Sequence, residues 1–171
     1  MTTIDYEFLY AFTKEILDSE KTIRWVGITN KFGVLLNFEQ KQGVQMLLTE
    51  EENEEYAANT ISRQKTRMKF EPKIGNLLYA FGRYQKVNRA TIPINENYYL
   101  LLTLDVEQKD FNTIIMDKII PLIKKQKTRF NRHGEGNPKE TETSQPSLAS
   151  LIMSQTAEQE EDKVYQSSRP S

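Results

Sequence analysis

A chain of 171 residues with no cysteine, one histidine and a formal net charge of −1 is closed to disulfides, thiolate nucleophiles and thiolate metal sites. Its pI of about 6.0 gives no global attraction to nucleic acid or anionic lipid. No apolar run approaches the ~18 residues that span a bilayer, and the first residues lack the pattern of a signal peptide, so cytoplasm is the expected location.

The mean hydropathy of −0.65 is unevenly spread, with apolar residues recurring from Ile4 to Leu122 and nearly vanishing after Phe130. A single domain with a polar tail follows from that distribution. Ile4, Phe8, Phe12 and Ile16, widened by Leu9 and Leu17, predict a first amphipathic helix. The β-branched and aromatic run Ile23–Thr29 and the run Val34–Phe38 flank Asn30-Lys31-Phe32-Gly33, which predicts a hairpin with Gly33 at positive φ.

Thr49 followed by Glu52 is a capping box, and three carboxylates in the first turn suit a helix N-terminus. The predicted helix runs to about Met68, with Pro72 closing it off and a narrow buried face of Tyr56, Ala57, Ile61 and Met68. Three strands are expected next: Leu77–Phe81 bracketed by Gly75 and Gly82, Val87–Ile94 after a tight turn at Gln85-Lys86, and Tyr98–Leu104. The last is apolar on both faces, as a covered central strand would be, and Ile23–Ile28 is nearly so, broken only by Arg24. A helix beginning near Asp110 keeps helical apolar spacing from Phe111 to Ile123, with Lys118 the exception and Pro121 expected to kink it or restart its last turn.

The domain is thus expected at 1–128, with residues 129–171 a polar, mostly disordered tail interrupted by one apolar island at 147–153. In that island Leu148, Leu151, Ile152 and Met153 have the spacing of an anchor that turns helical in a partner's groove, capped by Ser147. The rival readings are docking on its own domain or a chance cluster.

Helix, hairpin, helix, three-stranded meander, helix is the order of the roadblock/longin/profilin-like superfold, which the chain resembles. Ile23-Arg24-Trp25-Val26-Gly27, Lys73-Ile74-Gly75 with Tyr79, and Arg89-Ala90-Thr91-Ile92-Pro93 are similar to segments of an uncharacterised family of small archaeal proteins with this layout. The resemblance covers roughly residues 5–125. It implies an α+β domain with a five-stranded antiparallel sheet, the middle helix on one face, the terminal helices on the other, and the first and last strands adjacent at the centre. It brings no catalytic positions. Roadblock-like domains commonly dimerise and bind small GTPases, so the expected function is a non-enzymatic regulatory or scaffolding module. Homodimerisation through an edge strand or the middle helix, and a protein partner such as a small GTPase, are the expected interactions. PAS-like sensors differ in element order.

Several clusters carry a sharper and a plainer reading. Lys124, Lys125, Lys127, Arg129 and Arg132 form a basic patch that would suit RNA or anionic lipid, but also the ordinary cationic end of a helix. The run Arg63, Lys65, Arg67, Lys69, Lys73 alternates around its helix rather than forming one stripe, and reads as solvation. The aromatic set Trp25, Tyr79, Phe81, Tyr84, Tyr98 and Tyr99 would line a small-molecule pocket or, more plainly, pack the sheet. His133 has no ligand-spaced partner, and Glu50–Glu55 lacks the glycine and alternating oxygens of a calcium loop. No cofactor or metal is expected and no nucleophile–base pair stands out, so an enzyme is the least favoured class. The alternatives to the regulatory module are a small-molecule sensor and a nucleic-acid-associated protein.

Overall fold

In the computed structural model, which describes residues 5–134, the elements follow the expected order. Helix α1 (Tyr6–Ser19) leads into the hairpin β1 (Ile23–Asn30) and β2 (Leu35–Gln40), then α2 (Glu50–Met68) and a single turn, α3 (Glu71–Ile74). The meander β3 (Ala80–Arg83), β4 (Val87–Pro93) and β5 (Tyr98–Asp105) follows. The helical C-terminal stretch comprises α4 (Phe111–Thr113), a π-helical segment (Ile114–Ile119) and α5 (Ile120–Gly134).

The five strands form one antiparallel sheet in the order β2-β1-β5-β4-β3. Alternation along the strands divides the side chains between two cores. The larger takes Val26 and Ile28 of β1, Ala90 and Ile92 of β4 and Leu100, Leu102 and Leu104 of β5 against Phe8, Phe12, Ile115 and Phe130 of the terminal helices. The smaller joins Trp25 and Leu101 to Ala57 of α2, with Leu35 and Phe38 packed against it. Helices therefore cover both faces, the five-stranded roadblock-like α+β architecture.

A bulge explains how Arg24 sits within so apolar a strand. The β1–β5 register slips between Ile23 and Trp25, so Ile23 and Val26 both reach the larger core while Trp25 takes the α2 face. Arg24 is the extra residue, turned to an ion pair with Asp105 at 2.8 Å.

Local signals hold at the helix starts. Asp5 caps α1, its carboxylate accepting from the Phe8 N–H at 2.9 Å, and both halves of the Thr49–Glu52 capping box are made. Gly33 adopts φ +84° in the hairpin turn.

Elsewhere tertiary context moved the boundaries. Pro72 does not simply close α2; it lies in the first turn of α3, where its missing N–H leaves no bond unmade. The third strand begins at Ala80 rather than Leu77, whose N–H is taken by the Glu71 carboxylate at 2.8 Å, and Gly82 lies inside the strand. Pro121 is accommodated by the π-helical segment before it, where the Ile120 N–H reaches back to the Ile115 carbonyl. Helix α5 runs on to Gly134, and its Phe130 is fully buried.

Lys118, the polar exception on an apolar face, donates to Glu20 at 2.6 Å and ties the π-helical segment to the α1–β1 connection. That hydrogen bond is the main reason the Glu20 carboxyl lies below its usual value of 4.5. A depressed carboxyl contributes stability above its unfolded value and loses it as pH falls through the folded one. Thermal midpoints of wild type and Glu20→Gln are therefore expected to differ at pH 7 and to converge as pH falls through the lowered folded-state value; a difference independent of pH would refute the linkage.

Candidate functional site

Register places Gln40, Trp25, Thr103, Arg89 and Gly82 in one row across all five strands, on the face under α2. The next row holds Phe38, Gly27, Leu101, Thr91 and Ala80. Trp25 leans over the bare Gly27, where an added Cβ would stand 2.3 Å from the Trp25 ring, and stacks with Phe38 at a centroid distance of 6.1 Å. Thr103 is the short residue between Trp25 and Arg89, so the row is concave there.

A pocket of about 400 Å³ opens above this row. Asn53 and Tyr56 of α2 form one wall, and Val44, Met46, Leu47 and Leu48 of the β2–α2 connection form another. Tyr84, Lys86 and Val87 close it from the β3–β4 turn. The connection is held by Gln40, which donates to the Val44 carbonyl at 2.6 Å, and by Arg24, which donates to the Gln45 carbonyl at 3.3 Å.

Arg89 is the chemically unusual member. Its residue is 7% exposed, yet among the described residues no carboxylate pairs with it. The guanidinium stacks 3.6 Å from the Tyr56 ring centroid and 5.6 Å from that of Trp25. Among the described residues its one hydrogen bond is a long 3.4 Å contact to the Asn53 side-chain oxygen, and its Nε is buried without an acceptor. Trp25 Nε1, in the same wall, is likewise buried without one. Burial pulls the Arg89 guanidinium below its ordinary value, opposed by the neighbouring phenols of Tyr56 and Tyr84. Tyr84 is pushed up, chiefly by its hydrogen bond with Tyr56.

Among the described residues no aspartate or glutamate lines the pocket, whereas Arg24, Lys86 and Arg89 do; Arg24 is already paired with Asp105. A second pocket of about 330 Å³ shares Tyr56, Tyr84 and Arg89 and adds Arg63 and Arg67. The arrangement suits capture of a ligand bearing negative charge and hydrogen-bond acceptors.

The expected site residues fall in different places. Of the aromatic set, Trp25 and Tyr84 line the pocket, Tyr99 donates to the Met68 sulfur on that face, and Tyr79, Phe81 and Tyr98 belong to the larger core. Arg63 and Arg67, four apart, share the second pocket, while Lys65, Lys69 and Lys73 are exposed. Lys124, Lys125, Lys127, Arg129 and Arg132 are all exposed on α5, but two are engaged: Lys125 with Glu15 at 3.8 Å and Arg129 with Asp5 at 3.1 Å. The island residues Leu148, Leu151, Ile152 and Met153, with the side chain of His133, lie outside the described residues. Among the described residues there is no group of three or more metal-ligating side chains, and no helix long and apolar enough to cross a membrane.

Hydrophobic patterning passed over Arg89 and Asn53. In the sequence Arg89 stands out only as part of the segment Arg89–Pro93 quoted for the expected family resemblance, as Trp25 does within Ile23–Gly27.

No protein-family model and no curated protein sequence matches the chain. Solved structures do resemble it in fold. Myxococcus xanthus MglB superposes with a TM-score of 0.60 at 12% identity, over 78% of this chain and 95% of that one. A structure described as MglB with tetrameric arrangement gives 0.59 at 13% identity, over 78% and 92%. A Roadblock/LC7 domain from Streptomyces avermitilis gives 0.57 at 7% identity, over 71% and 96%.

Proposed function

We propose that this chain is a non-enzymatic, cytoplasmic regulatory or scaffolding module that acts as a homodimer and binds a protein partner, a small GTPase being the most concrete candidate. The observation that carries the reading is the free edge of the sheet at β3. No described strand pairs with its outer side. The connection leading into it exposes Phe70 at 59%, Ile74 at 80% and Leu78 at 55%, large apolar residues in no core. An open edge beside exposed apolar side chains is a surface suited to a second copy. The roadblock-like fold, and an assembly described for one structure of that fold, support the same reading.

Size-exclusion chromatography with light scattering on the full chain is expected to give about twice the 20.0 kDa of one molecule. The double variant Ile74→Lys, Leu78→Lys is expected to fall to the mass of a monomer. A wild-type monomer at high concentration removes the dimer, and a pull-down against the host's small GTPases in both nucleotide states tests the partner separately. The basic patch on α5 supports a nucleic-acid role less well, because Glu15 and Asp5 already occupy two of its five cations. A small-molecule sensor is favoured by one specific observation, the pocket at Arg89.

A further inference from the structure

We propose that the pocket between α2 and the sheet binds a small amphipathic organic anion, a carboxylate or phosphate carried on an apolar body, with Arg89 holding the charged group. The inference stands on the pocket's chemistry and is independent of the dimer.

A guanidinium buried without a carboxylate is a costly arrangement, since removing the charge from water is offset here only by aromatic faces and one long hydrogen bond. Packing alone gives no reason for it, because an apolar side chain at position 89 would fill the same place between Trp25 and Tyr56. A bound anion supplies what is missing. It offers acceptors to the guanidinium of Arg89, whose side chain lines the pocket and whose Nε has no acceptor among the described residues, and it neutralises a charge that burial disfavours. Lys86 adds a second cation, and among the described residues no carboxylate in the lining opposes the charge.

The remainder of the lining fixes the other half of the ligand. Met46, Leu47, Leu48 and Val87 present hydrocarbon, and Tyr56 and Trp25 present ring faces. Inorganic phosphate would leave that surface unused and wet. A neutral hydrocarbon would leave Arg89 unpaired. At about 400 Å³ the pocket falls in the range that small organic ligands occupy. Met46 and Leu47, 44% and 46% exposed on the connection, would be covered by such a body.

The test uses two dyes on the full chain. 8-Anilinonaphthalene-1-sulfonate carries an anionic group on an apolar body, and N-phenyl-1-naphthylamine is the same body without the charge. Fluorescence titration is expected to show one saturable site for the sulfonate and binding of the uncharged dye at least about tenfold weaker. Arg89→Gln is expected to weaken the sulfonate about tenfold or more and to leave the uncharged dye unchanged; Lys86→Gln is expected to weaken the sulfonate about two- to threefold. Benzoate and phenyl phosphate as competitors separate carboxylate from phosphate preference, and displacement by inorganic phosphate alone would show an ion site without an apolar half. Equal affinity for the two dyes, no saturable binding, or a folded Arg89→Gln that binds the sulfonate as wild type does would each overturn the proposal. The two-dye comparison on wild type decides the matter even where Arg89→Gln fails to fold.

Discussion

Phe130→Ala is expected to lower the unfolding free energy by about 3–5 kcal/mol, the cost of deleting a buried phenyl ring and leaving its cavity. Phe130 is fully buried although it lies in a cationic, otherwise polar stretch of α5. Its ring meets Phe8 at 4.9 Å, Phe12 at 5.2 Å and Tyr98 at 5.7 Å between centroids, joining α5 to α1 and to the start of β5. Arg129, adjacent in sequence, lies 4.0 Å above the Phe8 ring and pairs with Asp5, so the same turn is held from outside as well. A midpoint lower by roughly 10–20 °C in thermal unfolding would match that loss. A shift of only a degree or two would mean that the last turns of α5 are dispensable and that the domain does end near 128.

Gly33→Val is expected to cost about 2–4 kcal/mol, combining a β-branched residue at positive φ with overpacking. Gly33 has φ +84°, and a Cβ built there would stand 2.6 Å from the Ala58 backbone Cα. Because the obstacle is backbone in α2, no side-chain rotation relieves it; the hairpin tip and the helix must separate. The Asn30 side chain, which accepts from the Phe32 and Val34 N–H groups at 3.0 and 3.1 Å, pins the turn and prevents it from moving away. Urea denaturation of the two chains measures the difference, and an unchanged midpoint would show that hairpin and helix are not in contact there. Gly43, also at positive φ but with open space where a Cβ would stand, is the natural control.

Much of the fold was legible because it follows from local patterns. The helical stripe of Phe8, Phe12 and Ile16, the capping box at Thr49 and the glycine of the hairpin turn each act over a few residues. The centre of the sheet was legible too, since strands covered on both faces must be apolar on both, as Tyr98–Leu104 is. Less visible were the features set by partners distant in sequence. Leu77 and Leu78 look like strand residues, but Glu71 captures the Leu77 N–H and pairing with β4 begins only at Ala80. In α2, Asn53, Thr60 and Gln64 are buried beside Ala57 and Ile61, a polar stripe that hydrophobic periodicity does not register.

The candidate site was the least legible part. Trp25 and Tyr84 stood among aromatics whose plainer reading was packing, which holds for Tyr79, Phe81 and Tyr98. The sequence by itself determined a domain of defined element order, because amphipathic spacing, caps and turn glycines act locally. Only the tertiary structure decided that Phe130 packs on Phe8, Phe12 and Tyr98, and that Trp25 and Arg89, 64 positions apart, meet across the single Thr103. Whether a buried arginine has a carboxylate beside it depends on strand register and on the bulge at Arg24, and register is a property of paired strands rather than of either alone.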